Sequence, residues 1–407
     1  MDATRLSCAL FVTLLVALPG IAIAAETPAP LREPPEEPPS LGDFAYSANA
    51  SLGYEYNDNI YATQDDTLSD TVLRASLAGN AASQWQRHVL KAGAGVTAAR
   101  YVDYGTEDTT DYWGSLSGRY DFDATANLFG GLSYSRLHEV RGSIDAVSGD
   151  EPTIYTRSQA NVGVKRDIEA VSLTLAGSLN RLDYRNTPAG AVELFNGDRD
   201  RDESSVGLRA SHALSSRWSV FAQLRSDVRD YALRVDDAGY ERSSSGYRAG
   251  VGARLDLGRR LQGELMLGYL SQDYDDAAFD DVEVPDYQGS LSWFISDDSH
   301  LRVDLVHTLE ETTLPGSPGY LYRQLGMQWR QRFTEAVFGK FGLAYGQVDY
   351  QQAAIEDDYY DMSAGLTHPL YKGVFAGVDL RHLRRDSNIP GDDFERNVLS
   401  VSINGRF

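Results

Sequence analysis

The feature that most constrains this chain is an alternation of polar and apolar residues that recurs from residue 45 to the C-terminus. In the last such segment, VLSVSINGRF, Leu399, Val401 and Ile403 alternate with polar residues, and the chain ends on Phe407. Side chains along a β-strand point alternately to opposite faces, so this period of two predicts strands with one apolar face. The chain is therefore expected to be all-β.

The first 24 residues have the features of a secretory signal peptide. Arg5 precedes the apolar run ALFVTLLVAL, and small residues lead to a cleavage site expected near Ala24. The run is too short to span a membrane as a helix. Cys8 is the only cysteine and lies within this segment, so the mature chain is expected to contain no disulfide.

Composition narrows the remaining possibilities. Residues 25–44 are rich in proline and acidic residues (TPAPLREPPEEPPS), which predicts an extended leader rather than a packed core. The later sequence has no second linker and no run of 18 apolar residues, so we expect one domain without helical membrane spans. A net charge of −22 argues against a nucleic-acid partner. The seven histidines form no recognised catalytic or metal-binding motif, so neither an enzyme nor a cofactor is predicted.

Short polar turns and longer acidic segments divide the rest of the chain into strand-length pieces. Eight short turns are predicted near residues 83–87, 122–125, 166–169, 215–217, 257–260, 296–299, 333–336 and 369–372. Nine longer segments are centred on residues 57–68, 102–109, 140–153, 184–203, 234–242, 275–284, 312–319, 351–357 and 386–393. These connections join 18 strands and place both termini at the short-turn end, as in bacterial outer-membrane barrels.

Aromatic residues support a membrane location, because barrels carry aromatic girdles at both interfaces. Tyrosines predicted for the long-loop girdle are Tyr101, Tyr104, Tyr184, Tyr231, Tyr274, Tyr350 and Tyr359. Residues predicted for the short-turn girdle are Trp85, Trp218, Trp293, Phe333 and Phe375. We therefore predict a transmembrane antiparallel β-barrel of about 18 strands at residues 45–407, after a signal peptide (1–24) and a periplasmic leader (25–44).

The alternation also assigns charged residues to the lumen, because an Arg or Lys on the lipid face costs roughly 2–4 kcal/mol at the bilayer midplane. The lumen-lining candidates are Arg225, Asp227, Arg229, Arg248, Arg254, Arg302 and Asp304. These charges either pair with one another and stiffen the wall or contact a solute. A barrel of this size has room for an aqueous channel.

Weaker site candidates lie in the acidic loops. Carboxylates suit Ca²⁺ or Mg²⁺, so Asp275, Asp276, Asp280 and Asp281 are candidate ligands, with solvated loop residues as the alternative interpretation. The acids at 198–203 alternate as at the start of a calcium loop, but the required glycine is missing and arginines intervene. Tyrosines near the mouth are candidate stacking surfaces for sugars.

The segment SLGYEYNDNIYATQDDTLSDTV at 51–72 resembles the opening of the outer-membrane β-barrel porin family, type two. The matching residues are Tyr56, Asn57, Asp58, Asn59, Ile60, Tyr61, Ser69 and Asp70, with Asn57 in place of the family's first acid. Asn and Asp at these positions also suit a turn. The resemblance implies a channel in the outer membrane of a Gram-negative bacterium.

Some members of that family look like parts of exopolysaccharide or capsule secretion systems. The resemblance therefore implies a passive conduit for polysaccharide export, and periplasmic export components would then be partners. The alternative is a general or solute-specific uptake porin, and a surface enzyme or adhesin is a third possibility. Outer-membrane lipid, lipopolysaccharide and the barrel assembly machinery, through Phe407, are the other expected partners.

Overall fold

The computed structural model describes residues 40–407, which form a closed β-barrel. The predicted signal peptide and almost all of the leader lie outside these residues. The barrel strands are β1 Phe44–Asn57, β2 Asp70–Ser83, β3 Val89–Tyr101, β4 Thr109–Asp121, β5 Ala126–His138, β6 Ile154–Ile168, β7 Val171–Tyr184, β8 Arg201–Ala213, β9 Trp218–Tyr231, β10 Ser244–Asp256, β11 Leu261–Tyr274, β12 Val282–Ser296, β13 Ser299–Glu310, β14 Tyr320–Arg332, β15 Phe338–Tyr350, β16 Glu356–Tyr371, β17 Val374–Ser387 and β18 Phe394–Arg406.

Each strand pairs antiparallel with its sequence neighbours, and β1 pairs with β18 to close the barrel. Closure removes the exposed strand edges that would otherwise leave backbone groups unpaired in lipid. At the junction, the backbone N–H groups of Ala48 and Phe407 each donate to the other residue's carbonyl oxygen, at 2.9 and 2.8 Å. The C-terminal aromatic residue is thereby fixed to the first strand.

The connections confirm the prediction of 18 strands with short turns at one end and long loops at the other. We number the long loops 1 to 9 in chain order. They are residues 58–69, 102–108, 139–153, 185–200, 232–243, 275–281, 311–319, 351–355 and 388–393. Loop 4 contains a small hairpin, Thr187–Ala189 with Val192–Leu194. None of the helices in residues 40–407 is long and apolar enough to cross a bilayer.

The outer face of the barrel is apolar and exposed. Leu224 and Val251 lie on this face with exposures of 54% and 65%. Their neighbours along the strands, Arg225 and Gly250, belong to the opposite, inward-facing set. In water such a surface would drive association, and in a bilayer it is solvated by lipid.

Placing a charge on this face should destabilise the barrel. Val251→Arg is expected to cost about 2–4 kcal/mol, because the guanidinium would enter the bilayer core. Gln223→Arg is the matched control. Gln223 follows Ala222, the register partner of Val251, so it lies at nearly the same depth but faces inward. Urea titrations followed by heat-modifiable gel mobility compare the two. Equal midpoints for the two variants would contradict the assignment of faces.

The residues predicted to form the aromatic girdle at the long-loop end are wrong, because most of them face the lumen. The strand register places Tyr101, Tyr184, Tyr231, Tyr274, Tyr350 and Tyr359 on the inward face. Tyr231, Tyr350 and Tyr359 are at most 8% exposed. Phe375, predicted for the other girdle, also faces inward, opposite Asn404. The exposed outward tyrosines in the half of the barrel nearer the long loops are instead Tyr54, Tyr56, Tyr112, Tyr134, Tyr247, Tyr269 and Tyr345.

Candidate functional site

The inner wall carries charges of both signs, and most of them pair. All seven lumen-lining candidates lie on the inward-facing sets of β9, β10 and β13. The pairs among them and with neighbours are Asp227–Arg229 at 3.4 Å, Arg254–Asp256 at 3.7 Å, Arg302–Asp304 at 2.7 Å and Arg248–Asp286 at 3.8 Å. Their role as contacts for a transported molecule stays a prediction.

Arg225 differs from the other candidates. It lies directly opposite Arg248 across β9 and β10, and like charges in that position repel each other. The buried Nε of Arg225 has no hydrogen-bond partner within residues 40–407. Among the seven candidates, Arg225 is therefore the one whose charge is least neutralised.

Loop 3 crosses the barrel. It leaves β5 and returns to β6, yet Ile144 near its middle packs among Tyr320, Val348, Tyr350 and Tyr359 of β14 to β16. Those strands lie in the opposite half of the barrel. Ile144 is 8% exposed and Val348 is fully buried, so the contact is a small apolar core inside the lumen. Loop 3 therefore spans the channel mouth from one wall to the other.

Two ion pairs hold the first part of loop 3, before this core. Arg141 donates to Glu107 of loop 2 at 2.6 and 3.0 Å, and Glu107 is 1% exposed. Glu139 accepts two hydrogen bonds from Arg199 of loop 4, at 2.5 and 3.0 Å. Buried charge pairs leave a large desolvation penalty when one partner is lost, so these contacts fix the path of the loop.

Loop 7 also folds into the barrel. Arg242 of loop 5 is 2% exposed and donates to the backbone oxygens of Thr312, Leu314 and Ser317, at 2.6 to 3.0 Å. Its Nε bonds Asp236 at 2.5 Å. One arginine thus binds three carbonyl groups of loop 7 and one carboxylate of its own loop.

A second buried cluster holds the start of loop 7. Glu311 pairs with Arg229 on the inner wall of β9 and accepts a 2.7 Å hydrogen bond from the hydroxyl of Tyr231. Both Arg229 and Glu311 are 9% exposed. Loop 7 is therefore attached to β9 and to loop 5, away from the strands that bear it.

Loops 3 and 7 meet where the Thr312 hydroxyl donates to a carboxylate oxygen of Asp145 at 2.6 Å. Burial raises the pKa of Asp145, while Arg199 opposes the shift. Because burial raises the pKa, burying the Asp145 carboxyl is most favourable below the ordinary pKa of an aspartate, about 4, and becomes more costly as pH rises. The hydrogen bond from Thr312 opposes this shift, since it favours the charged carboxylate.

Loop 7 lies inside the barrel because β12 and β13 separate near the mouth. Their pairing covers Gln288 to Ser296 on β12, whereas Val282 to Tyr287 pair only with β11. Pro285 lies in this unpaired part, and proline is tolerated at strand edges because it has no N–H to donate. Leu309 and Leu321 of β13 and β14 are buried against Leu270 and Val282, which closes the gap with apolar contacts.

The motif at 51–72 has a structural role at the barrel closure. Asn59 is 1% exposed, and its amide donates to the backbone oxygens of Thr63 and Glu395. Asp58 accepts two hydrogen bonds from Asn397 on β18. The motif thus fastens loop 1 to the last strand, in agreement with its turn chemistry.

The acidic candidates do not gather into a site. Within residues 40–407, no group of three or more His, Cys, Asp or Glu side chains is placed to hold a metal ion. Asp276 instead accepts the backbone N–H groups of Ala278 and Glu241, and these bonds lower its pKa. In the 198–203 segment, Asp202 pairs outward with Arg181. Glu203 pairs inward with Arg201.

Sequence reasoning missed Trp113, loop 3 and loop 7. Trp113 is 39% exposed, and the β3–β4 register places it on the inward face, opposite Gly95. The alternating glycines in the segment KAGAGV of β3 were the available signal. Only the pairing of β3 with β4 shows that one of them lies opposite Trp113. Ile144 of loop 3 contacts residues about 200 positions away, and Arg242 contacts loop 7 residues 70 to 75 positions away. The sequence carries no periodic pattern for such contacts.

Comparison with solved structures finds similar chains of low sequence identity, among them an outer membrane protein. The opdK protein of Pseudomonas aeruginosa is 12% identical, with 90% of this chain and 100% of that chain covered and a TM-score of 0.48. OpdO of the same organism is 16% identical, with 90% and 98% covered and a TM-score of 0.47. OccAB3 of Acinetobacter baumannii is 12% identical, with 90% and 100% covered and a TM-score of 0.45.

A search of curated protein sequences finds no match. The family model described as "Putative beta-barrel porin 2" matches residues 39–407. This match covers all eighteen strands, from Phe44 to the C-terminus. The chain therefore belongs to this family of outer-membrane β-barrel porins.

Proposed function

We propose that this porin is a passive diffusion channel for small polar solutes and that loop 3 sets its size limit. The observation that carries the proposal is the seating of Ile144 on the opposite wall. An 18-stranded barrel is wide enough for an aqueous channel, so a loop across its mouth determines what enters. The mixed charges of the inner wall keep the lumen hydrated.

Polysaccharide export is the second candidate, and it rests on the resemblance of the 51–72 segment. A polymer would pass only if loops 3 and 7 left the positions described above. That movement would break the buried ion pairs Arg141–Glu107 and Arg229–Glu311, and the free-energy cost of breaking them opposes it. The geometry thus favours small solutes over a permanently open conduit.

Liposome swelling tests the size limit. Purified protein in liposomes should admit monosaccharides and exclude longer oligosaccharides, with boiled protein as the control for leakage. Equal swelling rates for monosaccharides and long oligosaccharides would contradict a loop-limited channel. Loss of surface polysaccharide from a deletion strain, restored by the intact gene, would favour export instead.

Three features of the mature protein remain predictions. We expect cleavage near Ala24, which N-terminal sequencing of outer-membrane material would test. Contact with lipopolysaccharide and recognition of Phe407 by the barrel assembly machinery are the other two. Phe407 is 66% exposed, so its side chain is available for recognition.

A further inference from the structure

One aromatic residue in the lumen is not explained by packing. On the barrel strands of residues 40–407, every large hydrophobic side chain that is strongly exposed faces outward except Trp113. An outward tryptophan is solvated by lipid, but an inward one exposes its indole to the aqueous channel. That exposure leaves an apolar ring face available to a molecule in the lumen.

The backbone of β3 is shaped to hold this indole. Gly93 and Gly95 face inward on β3, and an added Cβ at Gly95 would lie 2.6 Å from Trp113 Nε1. At Gly93 it would lie 3.0 Å from the ring carbon Cζ3. The ring therefore rests against the strand, and glycine is needed at both positions for this approach. One side of the indole is supported, and the ring stays exposed to the lumen.

Polar side chains surround the exposed ring. Asn80 on β2 and Ser115 on β4 are the register partners of Gly93. Lys91 lies two residues before Gly93 on the same face of β3, and its partner on β4 is Ser117. All four side chains are exposed. Within the part of the chain that the structure describes, none of them has a hydrogen-bond or ion-pair partner. Two residues along a strand span about 7 Å, which the Lys91 side chain can cover.

We propose that Trp113 and Lys91 form a binding site for an acidic saccharide at mid-height in the lumen. The ring of the sugar would stack on the indole, and its carboxylate would pair with Lys91. Asn80 and Ser115 would bond the hydroxyl groups around the ring. A flat aromatic acid fits less well, because the site has one apolar surface and a polar rim rather than two apolar walls. This proposal rests on the proposed channel function, since the site lies inside the lumen.

Binding is measured without transport, so failure of the channel proposal would not decide this one. We would use detergent-solubilised full-length protein in which Trp85, Trp218, Trp293 and Trp329 are replaced by Phe. Glucuronate should then change the fluorescence of the remaining Trp113 in a saturable manner, and glucose should bind more weakly. An equally strong response to benzoate, or no response to glucuronate, would overturn the proposal.

Channel recordings with the native tryptophans provide the second readout. Trp113→Leu is expected to raise the glucuronate concentration that half-blocks the current by about tenfold, the effect of losing one aromatic contact. Lys91→Met should remove the preference for glucuronate over glucose while leaving the block by glucose unchanged. If Trp113→Leu fails to fold, Gly95→Ala displaces the indole with a smaller change. Unchanged block in both the tryptophan and glycine variants would contradict the site.

Discussion

Replacing residues 141–149 of loop 3 with a short Gly-Ser linker is expected to increase single-channel conductance several-fold. The segment contains Ile144 and Arg141, which anchor the loop on the opposite wall and on loop 2. Without it, loop 7 alone would narrow the mouth of an 18-stranded barrel that is otherwise wide enough for an aqueous channel. Recordings in planar bilayers measure the effect directly.

A point variant separates the position of loop 3 from its length. Ile144→Asp places a charge in the buried cluster around Val348 and should detach the loop, giving a similar rise in conductance. Val140→Asp is the matched control, because Val140 belongs to the same loop and is 41% exposed. Conductance that rises equally in both variants, or in neither, would show that the seating of Ile144 does not restrict the channel.

Arg242→Met is expected to release loop 7 from the lumen. The change removes three hydrogen bonds to loop 7 and leaves the carboxylate of Asp236 without its ion-pair partner. Loss of one member of such a buried pair typically costs about 3–5 kcal/mol. Most of that cost should fall on the local attachment of the loop, because the barrel strands keep their own hydrogen bonds.

Two measurements report on this release. The Arg242→Met channel should show larger current fluctuations, and residues 311–319 should become sensitive to protease in intact outer membranes. Arg234→Met is the control in the same loop, since Arg234 is 85% exposed and contacts Glu241 only at 3.9 Å. A protected loop 7 in the Arg242 variant would mean that other contacts, such as Glu311 with Arg229, suffice to hold it.

The barrel itself could be predicted from sequence because it follows from local patterns. The alternation of Leu224 and Arg225, or Leu399 and Ser400, assigns a strand and its two faces without knowledge of any distant contact. Turn residues then mark where each strand ends, and counting the strands between them gives eighteen. Charge pairing two residues apart on one face, as in Arg302–Asp304, is also visible in the sequence.

The contents of the lumen could not be predicted, because they depend on contacts between distant segments. Loop 3 is an ordinary polar segment until Ile144 is seen among tyrosines of β14 to β16. The same contacts explain the incorrect tyrosine girdle. Tyr350 and Tyr359 do lie near the long loops, but they face inward and pack beneath them. Trp113 was missed because its significance depends on its register with Gly95.

Cross-linking loop 3 to the opposite wall would test the central claim most directly. Ile144→Cys with Val348→Cys introduces two thiols into a chain whose only natural cysteine, Cys8, lies in the predicted signal peptide. A short bifunctional thiol reagent should join the pair in intact outer membranes and leave the conductance close to that of the native channel. Ile144→Cys with the outward Val251→Cys should not cross-link. Failure of the first pair to link, or a large fall in conductance when it does, would contradict a loop 3 that rests across the channel.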